Sequence, residues 1–164
     1  MNLEIKVIED AIKAKIAAVV AYLPLTKIKT IPADTDLATL EGQMLPILPV
    51  AMVGWDGFEL DASKTERFED GIIWHEIYTW EIFLAVKSLR SMEQSLRGDS
   101  VVEGAYDVVT DVVAALQGEL LLVNTDPVIV TKAQLLLKKP AIVIYHVIMT
   151  CGQDRNKTLT PCEA

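Results

Sequence analysis

The stretch that decides the fold is Ile72-Ile73-Trp74-His75-Glu76-Ile77-Tyr78-Thr79-Trp80-Glu81-Ile82-Phe83-Leu84-Ala85-Val86-Lys87-Ser88-Leu89. Its alternate positions Ile72, Trp74, Tyr78, Trp80, Ile82, Leu84 and Val86 form one apolar stripe that only Glu76 interrupts. A period of two places that stripe on one face of a β-strand. At about 3.3 Å per residue, such a strand is long enough to overhang a small domain unless a bulge or bend splits it.

Upstream, Ile5, Ile8, Ile12, Ile16, Val19 and Leu23 step by three and four, which predicts an amphipathic helix ending before Pro24. Leu25 to Ile31 alternates and is closed by Pro32, as a short strand near a sheet edge would be. Ala33 to Gln43 reads as irregular, with Asp34 or Asp36 available as a cap. From Ile47 to Trp55 both alternating sets are apolar, the pattern of a strand covered on both faces, and Pro46 and Pro49 confine its regular part to the later residues. Gly54-Trp55-Asp56-Gly57 reads as a turn, and Asp61 to Gly71 as a polar connection.

Downstream, Ser100-Val101-Val102-Glu103 has the spacing of a capping box. The helix it opens would bury Val102, Ala105, Tyr106, Val109, Val112, Val113 and Leu116 and stop at Gly118. Val128 to Leu137 and Ala141 to Cys151 read as two strands around Lys138-Lys139-Pro140. The predicted fold class is α+β, a mostly antiparallel sheet with two main helices packed on it. One domain is expected over residues 1–152, followed by a polar C-terminal tail over residues 153–164.

A chain of 164 residues fits one core. Hydrophobic residues make up 51% but aromatics only 6%, and the mean hydropathy of +0.32 is high for a soluble monomer, so some surface is expected to be buried against other subunits. A net charge of −8 without a dense Lys/Arg cluster argues against direct nucleic-acid recognition. No apolar run approaches the roughly twenty residues of a membrane-spanning helix, so no membrane partner is expected. Cys151 and Cys162 suggest two reduced thiols and folding in the cytoplasm.

Catalytic signals are weak. His75-Glu76 opens like a zincin motif, but Thr79 stands where the second His belongs. His146 has no ligand-forming neighbour in register, and Arg97-Gly98-Asp99 reads as a turn before a helix. The glycine-rich turn lacks the lysine of a phosphate loop. The residues therefore suggest no enzyme, no cofactor and no metal site. The competing class is a small enzyme or ligand-binding domain whose site is assembled from distant residues such as Asp34, His75 and His146.

Trp80 to Ser91, then Arg97-Gly98-Asp99, Gly104-Ala105-Tyr106 and Val112-Val113-Ala114-Ala115-Leu116, resemble a family of Mu-like phage and prophage tail terminators. The likeness extends to Ile8-Glu9-Asp10-Ala11-Ile12, Leu48-Pro49-Val50-Ala51-Met52-Val53 and Ile144-Tyr145-His146-Val147. It implies a fold like the lambda-type tail terminator and a homohexameric ring at the head-proximal end of the virion tail. Such a ring caps the tail tube protein and meets the head-tail connector proteins, with the tail sheath as a further partner. Another head-tail joining or tail-completion role is the runner-up. Interface candidates are Trp55, Trp74, Tyr78 and Trp80 as aromatic anchors, and Arg90, Arg97 and Asp99 as charged contacts. The alternative for the rings on the long strand is burial under the second helix.

Overall fold

The computed structural model describes residues 3–32, 35–69, 71–87 and 104–158. Helix α1 (Leu3–Val19) is followed by a 3-10 turn at Leu25–Lys27 and strand β1 (Ile28–Thr30), then by α2 (Leu37–Met44). A long hairpin of β2 (Val50–Phe68) and β3 (Gly71–Lys87) comes next, followed by α3 (Ala105–Leu116), β4 (Ile129–Lys139) and β5 (Ile142–Thr158). The five strands form one sheet in the order β1-β2-β3-β5-β4, antiparallel except for the β1-β2 pair. The α+β reading therefore stands.

The stripe on β3 explains the layering. Tyr78, Trp80, Ile82, Leu84 and Val86 share a face with Ala51 and Val53 of β2 and with Val143, Val147 and Met149 of β5. Ile8, Ile12 and Ile16 of α1 and Val108, Val112 and Leu116 of α3 close over that face. Trp80 is fully buried there. On the reverse face Leu40 and Met44 of α2 cover Val50, Met52, Ala85, Ile142 and Ile144, a smaller second core. Glu9 is buried at the rim of the main core, where Lys13 pairs with it and Thr30 donates a hydrogen bond to it, tying α1 to β1.

Several elements differ from expectation, each for a physical reason. Helix α1 ends at Val19 and the chain turns over the next residues. Pro24 initiates a 3-10 turn, so the predicted 25–31 strand shrinks to Ile28–Thr30, although it does lie at the sheet edge. The segment read as irregular contains α2, because the Asp36 carboxylate accepts a hydrogen bond from the Thr39 N–H. Helix α3 starts after Gly104, whose N–H donates to Asp107, while the Ser100–Glu103 pattern lies outside the described residues. Its buried face is Ala105, Val108, Val112, Ala115 and Leu116, with Tyr106 exposed. A helix this rich in valine presents two nearly equal apolar faces, and packing against α1 and the sheet selects between them. Gly118, at φ 79°, does end it.

The largest correction concerns length. The polar connection read over 61–71 is strand as far as Phe68, and residues 153–158 of the expected tail are the continuation of β5. The β3-β5 register is unbroken from Gly71 opposite Thr158 to Lys87 opposite Ile142, so the long strand is not split. The bulges occur on its partner β2, between Trp55 and Gly57 and between Asp61 and Glu66. The glycine-rich segment is thus a bulge rather than a turn, with Gly57 at φ 142°.

Candidate interaction surface on the β arm

Strand β4 ends at Ile129, opposite Thr150, yet β5 continues eight residues further and β2 and β3 run beside it. Among the described residues the helical layer covers β3 from Tyr78 to Val86. Residues 71–77, with their partners on β2 and β5, therefore form a three-stranded arm that outruns the helical layer by roughly 23 Å, its base braced by the loop after α3, where Thr125 bridges Gln153.

The bulge at Trp55/Gly57 sets what β2 displays at the root of this arm and on it. Trp55 lies opposite Trp80, Phe58 opposite Tyr78 and Leu60 opposite Glu76, so all three share the face of the β3 stripe despite their uneven spacing. Beyond the helices that face meets solvent, and Trp55, Phe58 and Leu60 are 43%, 51% and 60% exposed. Three large apolar side chains exposed side by side cost solvation that a partner surface would recover.

Beneath them runs a polar network. The Glu76 carboxylate accepts hydrogen bonds from the Trp74 indole at 2.9 Å, from the Tyr78 hydroxyl and from Arg155 Nε at 3.0 Å. Arg155 Nη2 also donates to the Tyr78 oxygen at 2.8 Å. Burial pushes the Glu76 pKa up, but these donors outweigh it and hold the group below its usual 4.5. Burial and the neighbouring Glu76 carboxylate push the Tyr78 hydroxyl up to about 12. The one acidic break in the apolar stripe is thus satisfied in place, and it fixes the rings that support the exposed patch. Phe58 leans on Tyr78 with ring centroids 6.1 Å apart.

On the opposite face His75 is 3% exposed, with Nδ1 2.7 Å from Asp154 and Nε2 3.3 Å from Asp126. Gly152 provides the space for its ring. This clasp joins the loop after α3 to the base of the arm, assisted by the Asp126 N–H donating to the Gly152 carbonyl. Next to it Cys151 is buried, and burial pushes its thiol up to about 11.

His146 lies elsewhere, eight residues along β3 from the His75 level, in a hollow of about 280 Å³ shared with Leu40, Glu81, Phe83 and Leu136. Its ring stacks on Phe83, and Nε2 is 3.0 Å from Glu81 without the alignment of a hydrogen bond. His75 and His146 therefore do not converge, and Asp34 lies outside the described residues. Among the described residues no three His, Cys, Asp or Glu side chains are grouped to hold a metal ion, and no helix is long and apolar enough to cross a membrane.

Of the interface candidates, Trp55 is exposed and Trp74 is half-buried in the Glu76 network. Tyr78 and Trp80 are buried at 2% and 0%, because α1 and α3 close over their stripe, so neither presents a surface anchor. Arg90, Arg97 and Asp99 lie outside the described residues. Sequence reasoning missed Phe58 and Leu60. The signal was the alternation Phe58-Glu59-Leu60-Asp61, hidden by the bulge that precedes it. The sequence matches none of the protein-family models and none of the curated proteins with which it was compared.

Proposed function

We propose that this chain is a phage tail terminator, a ring-forming structural subunit that caps the tail tube at its head-proximal end, stops its polymerisation and offers the joining surface to the head. The observation that carries the proposal is the arm and its root: a three-stranded extension that outruns its own helical cover, with Leu60 exposed on it and Trp55 and Phe58 exposed on the same face where β2 leaves the body. A monomer that works alone gains nothing from such a surface, whereas a subunit of a closed ring buries it against a neighbour. Termination needs complementarity to the growing tube on one side and no recruiting face on the other. The net charge of −8 suits a ring that genome DNA traverses without being held.

In this role the chain is assembled in the host cytoplasm and resides in the virion tail. Its partners are further copies of itself, expected as six, the tail tube protein, the head-tail connector proteins and the tail sheath. Sedimentation velocity on the purified chain tests the proposal: a hexamer-sized species is expected. A strict monomer at high concentration, even with tube present, contradicts it.

A further inference from the structure

Among the described residues two long strand edges in this sheet have no neighbour, and they lie on opposite sides. On one side β1 pairs only with Ala51, Met52 and Val53, so β2 is open from the bulge at Trp55/Gly57 to Phe68. On the other side β4 is the last described strand of the sheet; the segment after α3 hydrogen-bonds to Val128 and Val130, and the outer edge beyond it, residues 131–139, has no described neighbour. Unpaired strand edges of this length are templates for another strand.

The two edges match in direction and in charge. Strands β2, β3, β5 and β4 alternate antiparallel, so β4 runs opposite to β2. A second copy placed beside the first in the same orientation therefore brings its β4 antiparallel to the arm strand. Strand β2 carries Asp56, Glu59, Asp61 and Glu66 against Lys64 and Arg67, while β4 carries Lys132 and Lys138, together with Lys139, which pairs with Glu41 of α2, and no carboxylate. In a protein of net charge −8, a wholly basic edge strand points to an acidic partner edge. Ile129 and Leu135 are exposed on β4, as Phe58 and Leu60 are on the arm, so apolar surface accompanies the charges on both sides.

We infer that copies of this chain join head to tail by β-sheet addition, the outer edge of β4 in one copy pairing antiparallel with the open edge of the β2 arm in the next. The inference rests on the ring-forming reading above and specifies its contact. Because β1 blocks the body of β2, the incoming β4 is displaced toward the arm by roughly ten residues, about 33 Å along the strand direction. The helical layers of successive copies are offset by the same distance. A contact between two different edges is heterologous, which generates a ring when the rotation between copies closes.

Charge reversal tests the pairing. One variant, Glu59→Lys with Glu66→Lys, makes both edges basic; the other, Lys132→Glu with Lys138→Glu, makes both acidic. Each alone is expected to lose the hexamer-sized species in sedimentation velocity. A 1:1 mixture is expected to regain it, because alternating copies restore every contact. A ring that survives either reversal, or a mixture that stays monomeric although both variants keep the parent's circular dichroism and melting, overturns the pairing. Amide exchange on the wild-type ring needs no variant: protection gained along residues 131–139 and 57–68 on assembly is expected. Unprotected edges in an assembled ring overturn the pairing while leaving the terminator reading in place, whereas a wild-type chain that never assembles overturns both.

Discussion

Gly152→Ala is a test of the clasp at the base of the arm. Gly152 has an ordinary negative-φ strand backbone, so alanine brings no backbone strain and its effect comes from contact alone. A methyl group there would lie 2.3 Å from His75 Nε2 and 2.7 Å from both His75 Cε1 and Asp126 Oδ2. These separations are too short to tolerate, and the ring has to leave. It then loses its 2.7 Å contact with Asp154 and its contact with Asp126, and a buried imidazole is exposed. Overpacking costs about 1–3 kcal/mol and loss of a charge-assisted hydrogen bond about 1.5–3 kcal/mol. Because ejection of the ring replaces the clash, the two do not add in full, and about 2–3 kcal/mol is expected. His75→Ala should cost less, roughly 1–2 kcal/mol, since Asp126 and Asp154 are half or more exposed and water can solvate them. With the ring gone and the half-exposed Asp126 carboxylate able to swing into solvent, the methyl group has room, so the double variant should be no less stable than His75→Ala alone, a coupling of about 2 kcal/mol. Urea unfolding followed by tryptophan fluorescence measures all four corners of the cycle. A Gly152→Ala protein within about 0.5 kcal/mol of the parent, or a double variant whose loss is the sum of the singles, would show that the methyl group does not displace the His75 ring.

Replacing Phe58 and Leu60 by Ser should leave the monomer's unfolding free energy within about 0.5 kcal/mol, since both side chains are already exposed, yet weaken assembly at least about tenfold in sedimentation equilibrium; unchanged assembly would remove the patch from the interface. Glu76 has a depressed folded pKa, so its ionised form contributes stability that is complete above about pH 4.5 and is lost as pH falls through the lower folded value. Glu76→Gln should accordingly flatten the acid side of the stability profile, and an unchanged slope would contradict the network. Cys151, buried with its thiol pushed up to about 11, should resist a chromogenic disulfide reagent at neutral pH in a Cys162→Ser background and react on unfolding; prompt labelling of the native protein would show the site to be open.

How much of this was legible before folding depended on whether a pattern was carried by local periodicity or by tertiary position. The β3 stripe from Tyr78 to Val86 and the α1 face at Ile8, Ile12 and Ile16 announced themselves, because every second or every third-to-fourth residue was apolar, while the reverse side of β3 mixes His75, Thr79 and Glu81 with the Phe83 and Ala85 that meet the second core. The arm was half visible. Its length followed from the stripe, but β2 from Asp56 to Phe68 and β5 from Gln153 to Thr158 are polar enough to read as loop, since solvated strands need no apolar face. Two bulges further broke the alternation on β2. Helix α2 was hidden because its eight residues are too few to show a period, and the cap at Asp36 was the only local sign. For the aromatic candidates, the residue type was informative but the facing was not. Trp55 and Trp80 lie opposite each other on the same face, yet only one is covered, because the helices end between them. The His75 clasp was invisible, since Asp126 and Asp154 reach it from a loop and a strand distant in sequence, and it needs the gap left by Gly152.

In the proposed role the chain finishes a polymer. Electron micrographs of tail tube protein polymerising with and without the chain test it most directly. The account predicts shorter tubes as the chain is added, with a ring of added density at one end only. Tubes of unchanged length with bare ends, at chain concentrations well above that of tube tips, would contradict it.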